Sequence, residues 1–241
     1  MVMSTHTSRD FESELRELRA HSLAMGARCE RGLRLSLEAF WNGSPRIAAE
    51  VEELDHQIDD DEKEINALVL RMLALRQPVA YDLRLLAGAL RLVTDLERVG
   101  DEAVNIAERA REEFGSAREM VRGLLGAMCE HAQEMLRDAL EAYLEGQAPR
   151  AEQILVRDDS VDELYGNITQ ALTEYMTQHR HHVAEAIRVI QISKYLERVA
   201  DHATNIAEGA IFVARGDDVR HSRAPMFTGV RWGSGRRAPA R

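Results

Sequence analysis

The chain carries one acidic pattern twice. Residues 96–108 read LERVGDEAVNIAE and residues 196–208 read LERVADHATNIAE. Ten of the 13 positions are identical, and only 100, 102 and 104 differ from 200, 202 and 204. Glu97 and Asp101 stand four apart, as do Glu197 and Asp201. On a helix each pair therefore lies one above the other, about 6 Å along the axis. Each repeat holds a second acidic pair earlier in the chain: Asp55 and Asp59 in the first, Asp158 and Asp162 in the second. These align through their apolar neighbours, Ile58 with Val161 and Ile65 with Ile168.

Helical-wheel arithmetic places both sets beside a buried stripe. With the apolar face of the later helix centred near Leu96, Glu97, Asp101 and Glu108 fall at about 100–140° from that centre. With Ile58 at the centre of the earlier helix, Asp55 and Asp59 fall at about 60–100°. Two such flanks meeting at an interhelical groove bring four carboxylates together in each repeat. Like charges four apart destabilise a helix, so something positive has to offset them. Carboxylate oxygens with water suit magnesium, manganese, calcium and iron, and carboxylates can bridge two metals. His56 and His202 are optional nitrogen ligands. Asp60, Asp61 and Asp159 read as a solvated charge run. The plainer alternative is ordinary surface pairing, because Arg98 and Arg198 stand three residues before Asp101 and Asp201. Such pairs are worth about 0.2–0.5 kcal/mol. Asn105 and Asn205 either orient carboxylates from the next turn or meet water.

The elements that position these acids read as helices throughout, with no strand-like alternation. Six are expected: 11–41, 47–75, 82–114, 118–145, 150–178 and 183–215. Pro45, Pro78 and Pro149 fall in the gaps, where they end helices sharply. Gly26-Ala27-x-Cys29-Glu30 recurs as Gly126-Ala127-x-Cys129-Glu130. The fold class is thus all-α, with two tandem three-helix bundles of long antiparallel helices related by an internal pseudo-twofold repeat. The expected divisions are 1–115, 116–216 and a flexible basic tail, 217–241. From Ser222 onward there are five arginines and no acid.

Bulk properties exclude several functions. A formal charge of −10 makes nucleic acid an unsuitable partner for the body of the protein. No stretch approaches the roughly 20 apolar residues of a membrane span, and Met1 to Asp10 carries no secretory pattern. The expected location is the cytoplasm. Cys29 and Cys129, also 100 apart, suit matching helix sites better than a bridge. The sequence shows neither a glycine-rich phosphate loop nor a nucleophile elbow. His179, His181 and His182 read as exposed residues of a helix–helix turn.

These motifs resemble those of the PhoU family, bacterial regulators that accompany the high-affinity phosphate ABC transporter. The matching residues are Arg76-Gln77-Pro78 with Asp82-Leu83-Arg84, Leu96 to Asp101, Leu196 to Glu208, and Gly216-Asp217-Asp218-Val219-Arg220-His221. The similarity covers about residues 10–221, with Ala200 where glycine is usual. The resemblance implies two three-helix bundles, a homodimer and no enzymatic activity. It implies negative regulation of phosphate uptake and starvation signalling, with the transporter's ATPase subunit and a membrane sensor histidine kinase as partners. Some members carry iron or zinc clusters on these motifs, so a cluster of iron, zinc or another divalent metal is expected on Glu97, Asp101, Asp55, Asp59, Glu197, Asp201, Asp158 and Asp162. A carboxylate-bridged metalloenzyme is the rival reading. Against it stands the lack of the Glu-x-x-His pairs that ferritin-like di-iron bundles place on two helices. A purely structural helical scaffold is a third.

Overall fold

A computed structural model describes residues 9–112 and 114–219. Of the basic tail expected at 217–241, residues 220–241 lie outside them, as do the first eight residues of the polar N-terminus. The described residues form seven α-helices and no strand. These are α1 (Arg9–Asn42), α2 (Pro45–Arg76), α3 (Ala80–Glu108), α4 (Gly115–Met120), α5 (Arg122–Glu145), α6 (Ala148–Gln178) and α7 (Val183–Arg215). Helices α1–α3 pack as one three-helix bundle and α5–α7 as a second. The bundles meet along α3 and α7, with α1 also against α5. One continuous apolar core runs through both, from Phe11 to Val213. No helix among the described residues is long and apolar enough to cross a membrane.

Two expected boundaries differ. Helix 3 was expected to reach Phe114, but α3 stops at Glu108 and a single 3-10 turn, Arg109–Arg111, follows. The expected single helix 118–145 is two, α4 and α5, parted at Val121 with φ −108° and ψ 11°. Val121 and Phe114 are both buried, and Phe114 packs edge-on to Phe40 with centroids 4.7 Å apart. Burying these side chains bends the connection between the bundles. Apolar periodicity carries through such a break and does not reveal it.

Local chemistry fixes the other ends. Ser44 caps α2, its hydroxyl accepting from Ile47 N, and Pro45 opens the helix where its missing N–H costs nothing. Helix α2 closes with Gln77 in the left-handed region at φ 48°, and Ala80 repeats that conformation at φ 49°. Each such non-glycine residue costs on the order of 1 kcal/mol. Both follow from turning the chain sharply around Pro78 into α3.

Candidate functional site

Helix α3 buries Leu86, Ala89, Leu92, Val93, Leu96, Val99, Ala103, Ile106 and Ala107, an i, i+3, i+4, i+7 stripe. Leu96 at its centre is fully buried. This stripe fixes the rotation of α3 and puts Glu97 and Asp101 on its flank, facing α2. Ile58 is buried in the same way on α2, which places Asp55 and Asp59 on the flank that faces α3. Gly100 lets the two helices approach closely. A Cβ placed there would stand 2.7 Å from Asp55 Oδ1 and 3.1 Å from Ile58 Cδ1. In the second repeat Ala200 fills this position and is buried.

The expected acids lie near enough to act on one another electrostatically. In the first groove, burial lifts the Asp55 carboxyl from 3.8 to about 6, with Asp59 and then Asp101 adding to the rise and His56 opposing it. Glu97 is also raised, by burial first and then by Asp101; Arg98 opposes, and Glu62 and Asp59 add to it. In the second groove Asp201 rises from 3.8 to about 6, through crowding by the protein and then Glu197, Asp158 and Asp162, against Lys194. Asp201 keeps one side open to solvent, and burial of the other is the first cause of its rise. Each groove thus gathers the four carboxylates assigned to it, with Glu62 added in the first.

The fit to a cation rests on Asp55. Its Oδ1 is buried without a hydrogen-bond partner and lies against Gly100 of α3. Among the described residues, however, no three carboxylate, imidazole or thiol groups close on one point as a preformed cage does. The grooves are open rows of oxygen donors, suited to a hard cation whose shell is completed by water.

The polar neighbours divide differently from the sequence expectation. Arg98 pairs as expected, with Nη1 2.9 Å from Asp101 Oδ2 and Nε 3.3 Å from Glu97 Oε2. Arg198 does not pair with Asp201. It crosses to the first bundle and meets Glu102 Oε1 at 3.3 Å, because Glu102 is buried at the seam and needs a cation. His202 turns from its groove to Asp95, its Nδ1 2.9 Å from Oδ1. Both asparagines orient carboxylates, but at this seam: Asn105 donates to Glu102 and Asn205 to Asp95. Asp61 is no part of a solvated run, since it pairs with Arg28 at 2.6 Å and its side chain is 13% exposed. Asp60 pairs with Lys63, and Asp159 is exposed as expected. Cys29 and Cys129 are free, buried thiols. His182 meets Glu185 at 2.9 Å, so the turn it belongs to is more ordered than a plain polar loop.

Sequence reasoning missed the seam and two groove residues. Asp95, Glu102, Arg198 and His202 link the bundles, and the differences at positions 102 and 202 were the visible signal. Lys194 and Glu62 join the grooves, and both stand one helical turn from an assigned acid. A cavity of about 400 Å³ also opens between α3 and α7, walled by Leu90, Leu92, Ile206 and Phe212.

A duplicated three-helix bundle with a carboxylate groove in each copy defines an all-helical, acid-lined class of protein. The chain belongs to the PhoU family: the PhoU domain matches residues 23–110 and again 125–210. It is 37% identical over 229 residues to a phosphate-specific transport system accessory protein PhoU homolog of Pseudomonas putida, covering 94% of this chain and 89% of that one. A homolog from Clostridium acetobutylicum is 35% identical, over 88% of this chain and 98% of its own. The crystal structure of PhoU from Pseudomonas aeruginosa superposes with a TM-score of 0.78 at 34% identity, over 86% of this chain and all of that one. The phosphate transport system regulatory protein PhoU from Streptococcus pneumoniae gives 0.79 at 27% identity, over 87% and 99%.

Proposed function

We propose that this protein is an accessory regulator of a phosphate-specific transport system, restraining phosphate uptake and phosphate-starvation signalling when phosphate is plentiful. The observation that carries this is similarity along nearly the whole length of relatives named for that role. The protein works in the cytoplasm as a homodimer and an adaptor, not as an enzyme. Its partners are the ATPase subunit of the transporter and a membrane sensor histidine kinase. Leu70, Leu75 and Val79, each more than half exposed around the α2–α3 turn, supply an apolar surface for one such contact.

The carboxylate grooves hold divalent cations, iron and zinc among them. Asp55, Asp59, Glu97 and Asp101 serve in the first, and Asp158, Asp162, Glu197 and Asp201 in the second. A bound cation supplies the positive charge that four crowded carboxylates need, and it cross-links α2 to α3 and α6 to α7. The residues themselves bind, orient one another and hold protons when no cation is present. A groove that changes charge and stiffness with its cation suits a signalling surface.

The test is deletion of the gene with complementation. Deletion is expected to raise phosphate uptake and a starvation reporter in phosphate-replete cells, and purified protein is expected to retain the ATPase subunit on a column. Unchanged signalling together with no retention would refute the proposal. Oxidase or phosphatase turnover lost in Asp101→Ala would favour the metalloenzyme instead.

A further inference from the structure

The cavity of about 400 Å³ between α3 and α7 lies away from both carboxylate grooves' assigned acids. Leu90 and Leu92 wall it on α3, and Ile206 and Phe212 wall it on α7, while Gly88 and Gly209 put no side chain into it. Leu90 and Phe212 are only partly buried, which leaves apolar surface for an occupant to cover. An apolar cavity of roughly 150 Å³ already accepts a benzene ring, so this one has room for a large aromatic side chain.

Position and charge name the occupant. Asp218 is itself a lining residue, and Val219 packs against the core, so residue 220 leaves from the cavity. Residues 220–241 hold six arginines and no acid, and among them stand Met226, Phe227, Val230 and Trp232. The cavity is lined by three acids, Asp95, Glu208 and Asp218, against one arginine, Arg91, so the two charges are opposite in sign. Trp232 follows Val219 by 13 residues, a reach of up to about 43 Å, whereas the cavity runs only about 10 Å along α3 from Gly88 to Asp95. The PhoU domain match stops at residue 210, so this segment lies beyond what defines the family.

We propose that segment 226–232 folds back into this cavity, with the Trp232 indole against Leu90 and Phe212 and the segment's arginines toward Asp95, Glu208 and Asp218. An indole joins a large apolar face to one N–H, which suits apolar walls with a polar rim. A short tether supplies an effective concentration of about a millimolar, so a contact too weak to hold a separate peptide closes within the chain. The seated segment is a strap over the seam. It touches α3 of one bundle and α7 of the other, beside the link from Asp95 to His202.

The experiment uses the fluorescence of the full chain. The protein has two tryptophans, Trp41 and Trp232, so in a Trp41→Phe background Trp232 alone reports. Trp232 is expected to emit at shorter wavelength than in urea, and acrylamide is expected to quench it several-fold less than in the unfolded chain. Gly209→Leu fills the cavity with a good helix former and is expected to expose Trp232 to the quencher. Gly209→Ala sets its Cβ 3.7 Å from the Tyr143 ring, an ordinary contact, and is expected to leave Trp232 sheltered. Phe212→Ser replaces Gly209→Leu if circular dichroism shows the leucine variant misfolded. Quenching as complete in the native protein as in urea would overturn the inference, and so would shelter that neither cavity variant disturbs. Shelter lost on dilution would overturn it too, because the segment would then sit in a second copy.

Discussion

Neutralising one acid should make the metal-free protein more stable. Asp55 is lifted from 3.8 to about 6 because its carboxylate is partly buried beside Asp59 and Asp101. The folded state therefore holds its proton more tightly than the unfolded chain, and stability falls as pH rises from about 4 to about 6. Above that window the cost is complete. At 1.36 kcal/mol for each tenfold change, the full lift corresponds to about 3 kcal/mol. Asp55 is only half-buried, so screening reduces this to about 1 kcal/mol. Asp55→Asn keeps the shape and removes the charge. In chelator at pH 7.5 it should stabilise the protein by about 1 kcal/mol, a rise of about 2–4 °C in Tm for a chain of this size. At pH 5 wild-type Asp55 is largely protonated when folded, and about half of the advantage should be gone. Urea unfolding at the two pH values reads both effects. An Asn variant less stable than wild type at pH 7.5, or a gain that does not change with pH, would show that the grooves are not electrostatically strained.

Other changes probe the packing that makes the grooves. Gly100→Ala puts a methyl 2.7 Å from Asp55 Oδ1 and must displace that carboxylate. Better helix propensity offsets the crowding, so stability should change by less than about 1 kcal/mol while manganese affinity at the first groove falls; calorimetry checks both. Arg198→Ala strips the buried Glu102 of its cation and should cost about 1 kcal/mol in urea unfolding. Gly88→Ala sets a Cβ 2.6 Å from Tyr143 Oη, whose hydroxyl donates to Leu85 O at 2.6 Å. Overpacking at this buried ring should cost about 1–3 kcal/mol, read as a drop in Tm.

The long helices were legible because their apolar stripes are regular and their ends carry proline and glycine. Leu96 and Ile58 were read as the centres of their faces, and both are buried. The break at Val121 was not legible, since an apolar residue fits a continuous helix and a bent one equally well. The groove acids could be placed because helical spacing and the repeat constrain them together. The seam could not. Which partner Arg198 takes depends on how two bundles dock, and local spacing favoured Asp201 over the more distant Glu102. His202 followed the same logic: its own helix offered a groove, and the docked bundle offered Asp95.

Elemental analysis of the purified protein, beside the double variant Glu97→Ala/Asp101→Ala, tests the cation-binding grooves most directly. Wild type is expected to retain divalent metal after gel filtration, and the variant to lose the first groove's share of it while keeping its helical circular dichroism. Equal metal content in the two proteins, or none in either, would contradict the account.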